Sequence, residues 1–172
     1  MIPEGSSLTI DPGASLTVDG DLISNGGLMI KSAAYVEPAG LTSSGSLIVR
    51  GSSSGTVTFN RFLRPDAITG DLHLFSSPVG SLDIPDFLTT YDAKIDFLRV
   101  WDEEAAVWAE VTTGNFESGK GYNVYQATGS DGDFSFTGSV VSSATVIATS
   151  PYAEPYDLRN GTDPYGVEGD HS

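Results

Sequence analysis

The 172-residue chain contains no cysteine. That absence excludes disulfides, thiol nucleophiles and thiolate-bound zinc, and it leaves the compartment open. Positive charge is nearly as scarce: eight Lys plus Arg stand against 23 Asp plus Glu, for a formal net charge of −15. Such a surface repels phosphate backbones and anionic headgroups, which excludes sequence-independent nucleic-acid binding and argues against an anionic membrane surface. No apolar run approaches the roughly 18 residues of a transmembrane helix, so no membrane insertion is expected. Met1-Ile2-Pro3-Glu4-Gly5 has neither the basic nor the apolar region of a signal peptide. Either the protein is not exported, or a signal has been removed. No window combines Lys, Glu, Ala and Leu as a long surface helix does.

What the chain has is glycine, serine, threonine and short apolar triplets. "SLTIDPGASLTVDGDLISNGG" (7–27) places Leu8-Thr9-Ile10, Leu16-Thr17-Val18 and Leu22 between turns rich in Gly, Asp, Pro and Asn. Every third step along the triplets is regular: Leu8 to Leu28 and Leu16 to Val36 are 20 residues, Leu22 to Leu41 and Leu28 to Leu47 are 19. The segment therefore writes as three coils, "LTIDPGASLTVDGDLISNGG", "LMIKSAAYVEPAGLTSSGS" and "LIVRGSSSGTVTFNRFL". A three-sided parallel β-solenoid requires this pattern, because one coil cannot bury its apolar residues and stacked coils share a core. Its corners need residues tolerant of unusual φ and ψ, which points to Gly13, Gly20, Gly26, Gly40, Gly45 and Gly51. Leu8, Leu28 and Leu47 are then expected in one column, with Leu16, Val36 and Val57 in a second. A β-meander or sandwich with evenly spaced hairpins is the alternative.

Beyond about Asn60 the repeat ends and longer β signals follow. "DLHLFSSPV" (71–79), "IDFLRVW" (95–101), "AVWAEVT" (106–112), "GKGYNVYQA" (119–127), "DFSFTGSV" (133–140) and "ATVIATS" (144–150) read as strands, and "LDIPDFLTTY" (82–91) as a helical turn starting near Pro85. After Ser150, "PYAEPYDLRNGTDPYGVEGDHS" has no periodicity and reads as a linker or tail. The expected fold is all-β, with a short three-sided parallel β-solenoid of about three coils over residues 1–63. An antiparallel β-sandwich-like module follows over 64–150 and an extended acidic tail over 151–172.

Catalytic chemistry is not legible. His73, between Leu72 and Leu74, reads as an outward-facing strand residue, and His171 lies in the tail. Ser76 and Ser77 have no Gly-x-Ser-x-Gly elbow, and no pair among Asp92, Asp96, Asp102, Glu103, Glu104, Glu110 and Glu117 is marked as lying in a cleft. Calcium is the more credible ligand. Asp131 and Asp133 in "GSDGDF", and Asp157, Asn160, Asp163, Glu168 and Asp170 in the tail, offer hard oxygens on turns, without EF-hand spacing. An ordinary acidic turn is favoured over a calcium site, and no other cofactor is expected.

If residues 103–106 form a hairpin turn, Trp101 and Trp108 stand opposite each other on one face. Exposed, they would form a platform of the kind that stacks on sugar rings, joined by Tyr122 or Tyr125. Buried, they are module core, and the sequence favours burial. In "GKGY", Gly119 and Gly121 read as a tight turn or bulge whose Lys120 points to water, with Gly121 intolerant of a side chain.

Taken together, "IPEGSSLTIDPGASLTVDGDLISNGGLMIKS", "LIVRGSSSGTVTFNRFL", "LHLFSSPV", "IPDFL" and "FESGKGYNVY" resemble a recurring arrangement in large secreted and cell-surface proteins of Bacteroidetes-type bacteria. There a short Gly-rich β-repeat precedes a β module with a Ser-Ser-Pro-Val strand and a Gly-Lys-Gly-Tyr strand, and export commonly follows the type IX route. The resemblance covers roughly residues 2–150, without a visible signal peptide or sorting domain. It implies an extracellular or bacterial cell-surface location within a longer chain, whose other domains are partners. The expected function is a noncatalytic structural or adhesive module. The alternative is a carbohydrate-binding accessory of a secreted polysaccharide-degrading enzyme, with polysaccharide or cell-surface glycan as partner.

Overall fold

The computed structural model describes residues 1–33, 43–64, 71–102, 104–117, 119–127 and 132–140. These residues are mostly β, in several sheets of which none closes on itself, with one short helix. In chain order the strands are β1 (Ser7–Ile10), β2 (Ser15–Val18), β3 (Leu22–Ser24), β4 (Gly27–Ile30), β5 (Ser46–Val49), β6 (Ser53–Gly55) and β7 (Val57–Phe62). There follow β8 (Asp71–Phe75), β9 (Val79–Gly80), α1 (Ile84–Thr90), β10 (Ile95–Asp102), β11 (Val107–Glu110), β12 (Tyr122–Gln126) and β13 (Asp133–Val140).

Successive strands of the N-terminal segment belong to different sheets, and each pairs in parallel with a strand three elements later. β1 pairs β4 (Leu8↔Leu28, Ile10↔Ile30), β2 pairs β5 (Leu16↔Leu47, Val18↔Val49) and β3 pairs β6 (Leu22↔Ser53, Ser24↔Gly55). β4 then pairs β7 in the same sense (Ile30↔Phe59), and Ile2 makes a parallel bridge to Ser24. Ile10, Leu22, Leu28, Ile30, Val57 and Phe59 are buried in the core this creates.

The first step matches the 20-residue period, and the second does not. Leu47 stacks on Leu16, not on Leu28, a step of 31 residues. Lys31–Ala33 and Ser43–Gly45 form an antiparallel stem, with Ala33 N–H donating to Ser43 O (2.8 Å) and Gly45 N–H to Lys31 O (2.7 Å) around a Ser32–Ser44 bridge. The return from Leu16 to Leu47 is thus 11 residues longer than that from Leu8 to Leu28. Val36 and Leu41, expected as coil positions, lie outside the described residues. The sequence did carry the true register, since "SLTV" (15–18) and "SLIV" (46–49) are near copies.

Between the parallel-paired segments, backbone approaches are close and small polar contacts form. Of the expected corner glycines, Gly13 has the left-handed φ of 82°, while Gly26, Gly45 and Gly51 sit where a neighbouring rung leaves no room for a Cβ. Gly40 lies outside the described residues, and Gly20 faces open space. The tightest position is Gly55: its φ is 87°, and a Cβ there would fall 1.9 Å from the Ser24 carbonyl oxygen. Asp21 Oδ1 accepts from the backbone N–H (2.8 Å) and hydroxyl (2.7 Å) of Ser52 on the next rung, and those hydrogen bonds hold its carboxyl below the usual range. Lys31–Asp11 (3.6 Å) and Arg50–Asp19 (3.3 Å) also link rungs, but both pairs are exposed and contribute little.

The second part of the chain forms an antiparallel sheet in the order β11-β10-β12-β8. The other large sheet, β1-β4-β7-β13-β9, draws strands from both sides of residue 63. β13 runs antiparallel to β7 over six residue pairs, from Asp133↔Phe62 to Gly138↔Val57. Between the sheets lies an aromatic cluster: Phe75 and Tyr122 from the four-stranded sheet meet Phe116, Phe87 of α1 and Phe136 of β13, with ring centroids 4.8–6.4 Å apart. α1 forms where expected. Asp83 caps it, its Oδ1 accepting from Asp86 N–H at 2.8 Å, with Pro85 in the first turn. Buried hydrophobics of both parts form one cluster, running from Ile2 to Phe136.

Two outcomes are expected. Gly55→Ala combines a left-handed φ with a backbone clash and should lower unfolding free energy by about 2 kcal/mol or more, whereas Gly20→Ala should stay within about 0.5 kcal/mol in urea denaturation. Because the folded pKa of Asp21 is depressed, its contribution is present above the ordinary carboxylate range and lost as pH falls through the folded value. The stability gap between wild type and Asp21→Ala should therefore be widest near neutral pH and narrow on acidification.

Candidate ligand-binding face

The hairpin β10–β11 is set by its turn. Asp102 Oδ1 accepts from the N–H groups of Glu104 and Ala105, both at 3.0 Å, and Ala106 takes a φ of 51°. This is the aspartate-centred turn that lets a short polar side chain replace ladder hydrogen bonds. It fixes the register Trp101↔Trp108, the opposition expected from the sequence. The expectation of burial is corrected: Trp101 and Trp108 are 38% and 40% exposed, with ring centroids 5.6 Å apart at 67°.

Alternation decides what accompanies them. Arg99 and Phe97 share the outer face with Trp101; Arg99 faces Glu110 on β11, and Phe97 faces Tyr125 on β12. The Phe97 and Tyr125 rings stack at 5.0 Å and 20°, and the Arg99 guanidinium sits 3.9 Å over the Phe97 ring. On the neighbouring strand, Leu72 (54%) and Leu74 (73%) extend the exposed apolar surface. Tyr122 lies on the opposite face. It is 2% exposed, packs on Phe75 and Phe116, and its hydroxyl accepts from Glu117 N–H at 3.0 Å. Of the four aromatics singled out in the sequence, Trp101, Trp108 and Tyr125 thus share a face and Tyr122 does not. Phe97 and Arg99 were missed, although the i, i+2, i+4 spacing of Phe97, Arg99 and Trp101 marked them.

The other candidates disperse. His73 faces inward, beside buried Val124 in register, and its Nε2 lies 3.0 Å from the Arg64 carbonyl oxygen; the outward residues of β8 are the leucines. The inward turn follows from pairing β8 with β12, which places Phe75 on the aromatic cluster and His73 on the same side. Ser77 is buried and its hydroxyl donates to Val79 O at 2.8 Å, a turn contact. Asp92, Asp96 and Glu110 line a shallow cavity of about 160 Å³, all three exposed. Asp133 begins β13, and its backbone carbonyl accepts from Lys94 Nζ (2.8 Å); Asp131 and the tail residues Asp157, Asn160, Asp163, Glu168 and Asp170 lie outside the described residues. Among the described residues, no three His, Cys, Asp or Glu side chains converge as a metal-binding group.

Lys120 pairs with Glu117 at 2.7 Å, a partly exposed contact worth at most about 1 kcal/mol. The glycine that matters beside it is Gly119, whose φ is 78°; Gly121 has ordinary φ and open space where a Cβ would go. That reverses the sequence expectation for Gly121. No family model, no curated protein and no solved structure matches the chain.

Gly119→Ala is accordingly expected to cost about 1–2 kcal/mol, and Gly121→Ala and Lys120→Ala no more than about 1 kcal/mol each, by thermal or urea unfolding.

Proposed function

We propose that the chain is a noncatalytic structural and adhesive module of a longer secreted or cell-surface bacterial protein. In this reading, the N-terminal segment is a short three-sided parallel β-solenoid and the remainder an antiparallel β-sandwich-like module that ends it. The observation that carries the proposal is the edge of β7. A parallel stack ends in a strand whose unpaired N–H and C=O groups would template association with other chains. Here β13 covers that edge over six residue pairs, and Ser53 of β6 donates from Oγ to Val140 O at 2.7 Å. The cap and the stack then act as one rigid body that holds the outward face of the β11-β10-β12-β8 sheet at a fixed orientation.

The scattered histidines, serines and carboxylates support the noncatalytic part of this reading. No nucleophile, base and orienting acid come together among the described residues: His73 contacts a backbone carbonyl and Ser77 a turn. The secreted or surface setting rests on the resemblance of the sequence motifs. The second reading, an accessory of a polysaccharide-degrading enzyme, draws on the exposed Trp101–Trp108 pair and differs in what the rest of a longer chain contributes.

Phe136→Ala tests the cap. Deleting a buried ring at the junction should cost about 3–5 kcal/mol, and wild type and variant should each unfold in one transition by tryptophan fluorescence and far-ultraviolet circular dichroism. Two separate transitions in the wild type would sink the proposal of a single capped body. Nitrophenyl ester or glycoside turnover that disappears with His73→Ala or Asp102→Asn would sink the noncatalytic part.

A further inference from the structure

The outer face of the β11-β10-β12-β8 sheet has two aromatic tiers. One is the Trp101–Trp108 pair, and the other is the Phe97–Tyr125 stack. Trp101 and Phe97 are four residues apart on β10, so the tiers lie about 13 Å apart along the strand, roughly the length of two to three linked hexoses. Between them stands the cross-strand pair Arg99↔Glu110, the guanidinium resting on the Phe97 ring. We propose that this face binds a neutral polysaccharide, the Trp101–Trp108 pair contacting the C–H face of a sugar ring, the edge of the Tyr125–Phe97–Arg99 stack bordering the next sugar along the chain, and Arg99 and Glu110 meeting hydroxyls.

Three observations favour this occupant. Trp101 and Trp108 are left more than a third exposed, as are Leu72 and Leu74 on the same face, while Phe97 and Tyr125 are half-buried; exposed apolar surface of this kind marks a binding surface. A sugar ring matches the mixture on the face, because it has apolar C–H surfaces and a rim of hydroxyl donors and acceptors. Charge selects among ligands: the face pairs one cation with one anion, while the whole chain is at −15. That field repels anionic polymers, and it works against a second copy of the same acidic chain docking here. A neutral ligand pays no such penalty. The inference deepens the reading of the chain as an adhesive module and is tested separately, since a failure to bind glycan would leave the single unfolding transition intact.

The experiment is affinity electrophoresis of the full chain in gels containing laminarin, xylan, galactomannan or hydroxyethylcellulose, with polygalacturonate as the anionic probe. Tryptophan emission on titration gives the affinity. At least one neutral polymer should retard migration and shift the emission. Trp101→Ala and Trp108→Ala should each weaken binding about tenfold or more, while still unfolding in a single transition. Trp101→Phe, which keeps a ring, should retain part of the affinity and guards against a folding defect. The proposal is overturned if no neutral polymer binds, if polygalacturonate binds as tightly, or if both alanine variants bind like wild type. It is equally overturned if sedimentation shows a dimer that Trp101→Ala dissolves, because the face is then a protein interface.

Discussion

β7 is the strand on which the described structure turns, because it is paired on both edges and in opposite senses. Its parallel edge continues the stack begun by β1 and β4, and its antiparallel edge receives β13. The same six residues put Val57 and Phe59 into the core, so hydrogen bonding and burial reinforce each other at one place. The parallel strands alone are short, at three or four residues before β7, and strands of that length bury too little to stand by themselves. Joining them to a longer antiparallel ladder lets the Gly-rich segment share a core built largely from aromatic rings. Gly26, Gly45, Gly51 and Gly55 then permit close backbone approaches between its parallel-paired segments.

The four-stranded sheet divides its side chains sharply. Leu98, Tyr122 and Val124 point into the core at no more than 2% exposure, while Phe97, Arg99, Trp101 and Tyr125 point away from it. A protein needing only a stable module would be expected to reverse that economy and place its tryptophans inside, where a large ring contributes most. Here phenylalanines fill the interior and both tryptophans stand outside. The aspartate-centred turn after Trp101 holds them in register, so the outer rings are positioned by backbone hydrogen bonds as well as by their own packing.

Much of the fold was legible along the chain. Strands β10 to β13, the helical turn near Pro85 and the hairpin opposing Trp101 and Trp108 follow from alternation, turn residues and the preference of proline for a helix's first turn, all of which act between residues close in sequence. The 20-residue return from Leu8 to Leu28 was legible for the same reason. The 31-residue return from Leu16 to Leu47 was harder. Val36 and Leu41 kept an apparent period through a stretch entered by an antiparallel stem, and only the likeness of "SLTV" to "SLIV" hinted at the register. His73 and Gly121 were misread because each depended on the tertiary surroundings: the pairing of β8 with β12 for His73, and open space around Gly121.

The sequence by itself determined the β character, the existence of β10 to β13, the acidic surface and the absence of thiol chemistry, because composition and local period are properties of the chain alone. Which face of each strand meets the core was decided by tertiary structure. An alternating strand such as "IDFLRVW" presents apolar residues on both sides, and its two faces become distinct only when β12 and the aromatic cluster cover one of them. That choice left Trp101, Trp108, Phe97 and Tyr125 at the surface and placed Tyr122 inside.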